Sequence, residues 1–481
     1  MARDLDGNIV LTAYRSPFIG DANIFTYKYN SLGELLWQVE DETGVSGVYQ
    51  KSRWINVDSE NNVYVTGYVY AGTSSEYTTE IVVLKYGSDG SFIWKKNIEN
   101  VFPSSLNIRA EMDSNDQLYI GTVSINPGFR LIKLDALGNV LFDVSDATSE
   151  NQNFNSMRLK GDRIAVSSYA GNGFQASLVV FDTNGNTLWS EHFESDGATD
   201  LEMDDDLNVY VLSRELNLVE TDSDYDIELI KFSPTGEFLI SHPFDFGSSV
   251  DFPSRMTLVN NRFTIIGATI PQNGAYMDWF TIQCDMNGTL LWSSIYNEVI
   301  SNDEKPRWVT ALDNGDVFVS GQGGPGYNSL GNTYLQFVTV KYNNGDLMWS
   351  DVNPYQGYIG IVNLPDEDCG VYVLGETSAT LLHYTDDCTI NHIEGMNSTT
   401  DLFNLSILPN PTTDPTNLKI ASKTSMVEDV VIYDLSGKIH HQLFRQHLAA
   451  GVNNLNLDIS NLESGLYFIR VGHETVKLII E

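Results

Sequence analysis

Apolar and polar positions along this chain alternate in short runs, and the runs recur in groups. Residues 53–94 show one group plainly. Residues 53–57 form a short apolar-rich run, closed by the polar turn Asp58-Ser59-Glu60-Asn61-Asn62. Residues 63–68 then alternate with period two, the mark of a strand packed on one face. Residues 81–86 are almost unbroken apolar, which predicts a strand buried on both faces. Gly87-Ser88-Asp89-Gly90 turns the chain, Gly90 being free to take positive φ. Residues 91–94 begin a fourth strand. The reading is four antiparallel strands per group, named a to d.

The same phrase returns down the chain. A turn glycine stands at Gly33, Gly90, Gly138, Gly185, Gly236, Gly288 and Gly345. A large apolar residue follows four positions later, at Trp37, Trp94, Phe142, Trp189, Ile240, Trp292 and Trp349. Successive glycines are 57, 48, 47, 51, 52 and 57 residues apart. A repeat of about 50 residues has the length of a propeller blade. A lone blade cannot cover its own faces, so such sheets are expected to close into a ring.

An eighth unit follows, with strand a at 358–364, b at 370–375 and c at 380–384, and with no evident strand d. The chain opens near strand b of the first unit, at 7–14, so strand a there is expected to be missing or nearly so. Together these ends suggest that upstream residues once completed the outer and inner strands. The expected fold is all-β: a propeller of eight blades, or seven, over 1–388, a linker at 389–404 and a small immunoglobulin-like β-sandwich at 405–481.

Charge narrows the partners. The chain has 27 basic and 64 acidic residues, a net of −37. Residues 401–481 hold 9 acidic and 6 basic, which leaves 55 against 21, or −34, for the repeats. Such a surface repels nucleic acid and anionic lipid. No apolar run reaches the ~20 residues of a membrane-spanning helix, and the amino terminus shows no signal-peptide core. A monomer is expected.

Cys284 takes a strand-c core position held elsewhere by Tyr29, Tyr86, Phe181, Phe232 and Tyr342. Cys369 falls in an a–b turn and Cys388 where the c–d glycine would stand. Those turns share one end of a blade, so a Cys369–Cys388 disulfide is expected, suited to an oxidising exterior.

After Cys388 the rhythm stops. Pro409-Asn410-Pro411 is followed by Val431-Ile-Tyr433-Asp434-Leu-Ser-Gly437-Lys438, then Leu462-Glu-Ser-Gly465-Leu-Tyr467-Phe-Ile-Arg-Val471, then Lys477-Leu-Ile-Ile480. These four motifs, in this order at the carboxy end, resemble the type A carboxy-terminal sorting domain of the type IX secretion system of Bacteroidota. The resemblance implies engagement of that secretion machinery, export across the outer membrane, and removal of the domain with release or surface anchoring. The repeats resemble bacterial β-propeller families of the SBBP and quinoprotein-like types, a likeness that marks architecture rather than activity.

Catalytic signatures are absent. There is no His-Glu-x-x-His, no Gly-x-Ser-x-Gly and no phosphate-binding Gly-x-x-x-x-Gly-Lys. Asp182 to Trp189 approaches a sialidase box but spaces Asp and Gly by three rather than two. The pair His440-His441 is expected to be exposed. Asp-rich turns at 4–8, 204–206 and 313–316 could offer oxygens to structural calcium, although Asp and Asn favour tight turns on their own account. Short a–b and c–d turns leave the long b–c and d–a connections on the opposite face. Tyr77, Tyr276, Trp279, Tyr327, Tyr334 and Tyr355 lie in or beside them, a candidate aromatic surface for polysaccharide or protein. A non-catalytic binding or adhesion module is the leading expectation, and a hydrolase or lyase with its pocket on the long-loop face the alternative.

Overall fold

The computed structural model describes the chain except residues 19–20, 32, 42–48, 74–75, 100–106, 124–127, 146–151, 171–174, 196, 218–223, 247–249, 271–275, 298–303, 328–332, 354–359, 366–369, 376–380, 385–389, 394–402, 409–415, 423–425, 435–437, 450, 458, 460–461, 463, 472–473 and 481. It divides into two compact units, Met1–Met396 and Asn397–Glu481.

Among the described residues the first unit is built from eight four-stranded antiparallel blades, the first two bridged into one sheet. Their inner strands are Ala2–Arg3, Tyr49–Val57, Arg109–Met112, Gln152–Lys160, Ala198–Met203, Val250–Val259, Lys305–Ala311 and Gly360–Pro365. Blades one and two touch through a single parallel bridge, Ala22 to Tyr49. Eight apolar clusters each span one blade boundary. The eighth joins Tyr372, Leu374 and Leu381 of the last blade to Ile9, Leu11, Tyr27 and Tyr29 of the first. One cluster per boundary closes a ring of eight blades.

Side chains make that last closure. The Tyr372 hydroxyl donates to the Ser31 carbonyl at 3.0 Å, and the Arg3 guanidinium donates to the Pro365 carbonyl. Both end strands expected to be lacking have counterparts. Ala2–Arg3 pairs with Ile9 and Val10 as a two-residue inner strand. Ile390–Ile393 pairs with Leu381–Tyr384 as the outer strand of blade eight, so the blade runs past Cys388 into the segment expected to be linker. Ile390-Asn-His-Ile393 has neither a turn glycine nor an aromatic four residues on, which is why the repeat pattern missed it.

The glycine-plus-four phrase is an inter-blade joint. A Cβ on Gly138, whose φ is +81°, would lie 3.3 Å from the indole of Trp94 on the preceding blade. Gly90 meets Trp37, Gly185 meets Phe142, Gly236 meets Trp189 and Gly345 meets Trp292 in the same way. The indoles also reach the next blade's turn: Trp37 Nε1 donates to Ser88 O at 2.9 Å and Trp189 Nε1 to Pro234 O at 2.9 Å. Ile240 departs from the pattern, because Gly288 is met by His242.

The second unit is a sandwich. Phe403–Leu408, Thr416–Ser422 and Gly451–Leu457 form one sheet; Met426–Asp434, Ile439–Leu448, Gly465–Val471 and Glu474–Ile480 form the other. Leu418, Ile420 and Leu457 of the first pack with Ile432, Ile469, Val471 and Leu478 of the second, the alternate-residue core of two facing sheets.

Candidate functional site: the ring axis

Among the described residues six inner strands carry a β-bulge at one place, with Arg53, Asn155, Thr199, Ser254, Arg307 and Ile361 as the extra residues. A bulge bends its strand and re-aims the next side chain. Those next residues are Trp54, Ser156, Asp200, Arg255, Trp308 and Val362, and Arg109 holds the matching place in blade three. Strand a runs from the long-loop face toward the a–b turns, so this mid-strand layer lies nearer the long-loop face than the residues two positions on.

Here side chains from non-neighbouring blades meet. Arg109 Nη1 donates to Asp200 Oδ1 at 2.9 Å, to Met157 O at 3.3 Å, and to Ser156 Oγ. Ser156 Oγ donates to Asp200 Oδ1 at 2.7 Å, and the backbone N–H of Met256 donates to Asp200 Oδ2 at 3.2 Å. Across the ring the indoles of Trp54 and Trp308 stand 6.4 Å apart, tilted by 51°. Arg109 lies 5.2 Å from the Trp54 ring and Arg255 lies 3.9 Å from the Trp308 ring, within cation–π range.

The next layer holds Glu111, Arg158 and Glu202. Arg158 reaches Glu202 at 3.0 Å, Glu111 at 3.4 Å and Asp200 at 4.0 Å. Glu111 also accepts from the Leu159 N–H at 2.6 Å. A cavity of about 350 Å³ opens beyond it on the a–b turn side, lined by Arg158, Lys160, Glu202, Asp205, Leu258 and Asn260 among others.

Burial works against charge throughout the cluster, and the outcome differs by residue. Asp200 is opposed by burial, yet Arg109, Arg158 and Arg255 together hold its carboxyl well below the usual range. Burial pushes Glu202 above the usual range despite Arg158. Burial, with the like charge of Arg109 behind it, lowers Arg255 to about 9. The axis is thus a web of ion pairs with an excess of guanidinium on its long-loop side.

The residues expected to form an aromatic surface fare unequally. Tyr276 is 40% exposed. Trp279 is a correction: it is fully buried, donates Nε1–H to Gln322 O at 3.2 Å and packs on Tyr296. It fills the boundary between blades six and seven. Tyr77, Tyr327 and Tyr334 lie on strands, but their side chains fall outside the described residues, as do Tyr355, Cys369 and Cys388 altogether. Cys284 is a buried free thiol in the core between blades five and six.

In each Asp-rich turn one carboxylate is engaged within its own blade. Asp4 accepts from the Asp6 and Asn8 N–H groups and from Asn8 Nδ2, and it pairs with Lys28 at 2.7 Å. Asp204 accepts from Asn208 and from the Tyr210 hydroxyl. Asp316 pairs with Lys341 at 3.0 Å and accepts from Asn343. A different trio, Asp226, Asp245 and Asp251, gathers carboxylate oxygens within 4.8 Å of one another where blades five and six adjoin. No spacing in the sequence announces it.

In the sorting unit, Tyr467 belongs to the core and Tyr433 stacks on Phe468 at 5.7 Å. Asp434 accepts from the Lys438 N–H at 3.2 Å and faces His440 Nε2 at 2.6 Å. Gly465 opens the strand that carries Tyr467, and Lys477 is exposed on the last strand. Pro409, Asn410, Pro411 and Gly437 lie outside the described residues.

Residues 406–481 match the family described as a secretion system C-terminal sorting domain. The ring and this tail together define an exported β-propeller protein, directed to the cell exterior or outer surface through the type IX machinery. Among the described residues no helix is long and apolar enough to cross a membrane. No curated protein matches the chain in sequence. Solved structures that resemble it include the propeller domain of the trilobed protease from Pyrococcus furiosus, 12% identical, covering 73% of this chain and 98% of that one at a TM-score of 0.40. Virginiamycin B lyase from Staphylococcus aureus is 10% identical, covering 70% and 92% at 0.41. A protein of unknown function from Bacteroides caccae is 12% identical, covering 60% and 94% at 0.33. At these scores the likenesses carry nothing about ligand or activity.

Proposed function

We propose that the propeller is an exported, non-catalytic recognition module that holds a macromolecule, polysaccharide or protein, on its long-loop face. One observation supports this above the others. The three axial carboxylates, Glu111, Asp200 and Glu202, are each engaged by arginine. General acid–base chemistry needs carboxyl groups that can exchange a proton with substrate, and an arginine-held carboxylate such as Asp200 is poorly placed to do so. The full chain, tested on glycan arrays and in pull-downs with and without calcium, is expected to retain a ligand; retention of nothing in either assay would overturn the reading.

A hydrolase is the second reading, and the axial cavity favours it, because burial raises Glu202 there. Glycan or peptide cleavage by the full chain that disappears in Glu202→Gln would establish it over the first.

A further inference from the structure

The geometry points to the axial layer formed by Trp54, Trp308, Arg109 and Arg255 as a binding site for an anionic saccharide, a pyranose bearing carboxylate or sulfate. The inference rests on the recognition reading above and names its ligand class.

Charge distribution is the first argument. The ring carries a net of −34 by sequence, and Glu111 and Glu202 balance Arg158 on the axis, yet in the tryptophan layer Arg109 and Arg255 outnumber Asp200, and the bulges beside the two tryptophans present Arg53 and Arg307, both exposed. Arginine's planar fork matches carboxylate and sulfate oxygens. On an acidic surface a layer with excess guanidinium selects anions locally.

The second argument is an imbalance of partners. Asp200 is already engaged by Arg109, Ser156 and the Met256 N–H. Arg158 is satisfied by Glu111 and Glu202. Arg255 is half-buried and, among the described residues, no carboxylate hydrogen-bonds to it; its contact is the Trp308 ring at 3.9 Å. A partly desolvated guanidinium that feels Asp200 and Glu202 but hydrogen-bonds to neither is incompletely compensated. Burial and the like charge of Arg109 and Arg158 lower its pKa, and a bound anion would offset both.

The third argument concerns shape. The two indoles, 6.4 Å apart and each carrying a guanidinium over its ring, remain partly exposed and add apolar surface to the charged groups. A pyranose presents C–H groups on its faces and anionic substituents at its edge, so it can use both features at once. An acidic peptide would use only the charges.

The test is affinity electrophoresis of the full chain against polygalacturonate, dextran sulfate, neutral dextran and poly-L-glutamate. Retardation is expected in polygalacturonate, dextran sulfate or both, the two separating carboxylate from sulfate recognition, and none in neutral dextran. Binding should weaken with added salt. Arg255→Gln and Trp308→Ala should each weaken it about tenfold or more. The exposed double variant Arg53→Gln/Arg307→Gln should weaken it with an unchanged melting temperature, which separates lost contact from lost fold. Arg130→Gln, remote from the axis and paired with Asp143, should bind as the parent does. Equal retention by the axial variants, equal retention in neutral dextran, or retention only in poly-L-glutamate would each overturn the site. A chain that binds some other glycan or protein without need of Arg255 sinks this inference and leaves the recognition reading standing. One that binds nothing at all removes both.

Discussion

The indole N–H of Trp94 donates to the carbonyl of Ala136 at 3.1 Å, across the boundary between blades two and three. Its ring meanwhile covers Gly138, so one side chain supplies both an apolar contact and a hydrogen bond to the neighbouring turn. Trp94→Phe keeps the cover and loses the bond, which should cost about 1 kcal/mol. Gly138→Ala puts an L side chain at φ +81° against the ring and should cost about 1–2 kcal/mol. Guanidinium unfolding checks both. Because Trp94→Ala removes ring and bond together, the double variant Trp94→Ala/Gly138→Ala should be less destabilised than the sum of the singles.

Leu207 sits in the left-handed region at φ +62°, in the a–b turn of blade five. The matching turn positions in other blades are Gly7, Asn61, Asp116 and Gly315, residues that tolerate this conformation. Its N–H closes the turn onto Asp204 O at 3.0 Å, so the turn cannot relax to spare the leucine. Leu207→Asn should therefore stabilise the protein by roughly 0.5–1 kcal/mol. A rise in melting temperature is expected, and a fall would show that the leucine's packing outweighs its strain.

Much of the ring was legible because its joints repeat. Gly-to-Trp spacing counts blades since each indole must meet the next glycine, and period-two runs mark strands with one covered face. Other parts left no periodic trace. Lys28, Lys85 and Lys341 are buried in runs that read as apolar, each paired with the a–b turn aspartate of its own blade, Asp4, Asp58 or Asp316. Lys28 and Lys85 also reach the next blade's turn carbonyls at Ser88 and Ala136. A lysine just before the strand-c aromatic was the available signal. The axial cluster was harder to read, because Trp54, Arg109, Asp200, Arg255 and Trp308 share a structural place but no residue type. Trp279 misled for the opposite reason: it adjoins a long loop in sequence, while strand pairing turns it into the core.

The buried lysine–aspartate pairs set a pH dependence. Burial opposes ionisation of Asp4 and Asp58, but Asn8 and Lys28, and Asn62 and Lys85, outweigh it and hold both carboxyls below the usual range. A depressed carboxyl contributes stability that is complete above its unfolded value of about 3.9 and is lost as pH falls through the lower folded value. Melting temperature should therefore hold from neutral pH to about 5 and fall below about 4. Relief of the net negative charge works the other way, and high salt removes that part. Asp58→Asn leaves Lys85 buried without its anion, which should cost about 3 kcal/mol near neutral pH and flatten the acid slope. An unchanged slope would count against the pair as its source.

The three cysteines make separable predictions. Burial pushes the Cys284 thiol up to about 12, so it should resist alkylation in the folded protein, where the thiolate is the reactive form. Val371 pairs with Tyr384 at the base of the blade-eight hairpin. In sequence Cys369 comes two residues before Val371 and Cys388 four after Tyr384, and we propose that they form a disulfide. Iodoacetamide should then label no cysteine in the native chain and Cys284 alone after denaturation without reductant. All three should label after reduction. Labelling of Cys369 or Cys388 in the denatured, unreduced protein would exclude the bridge. If it forms, its loop of about 20 residues should add about 3 kcal/mol to the last blade. Reduction should then loosen blade eight first, read as faster hydrogen exchange at Val371 to Leu374 and Leu381 to Tyr384 than in blades three to six.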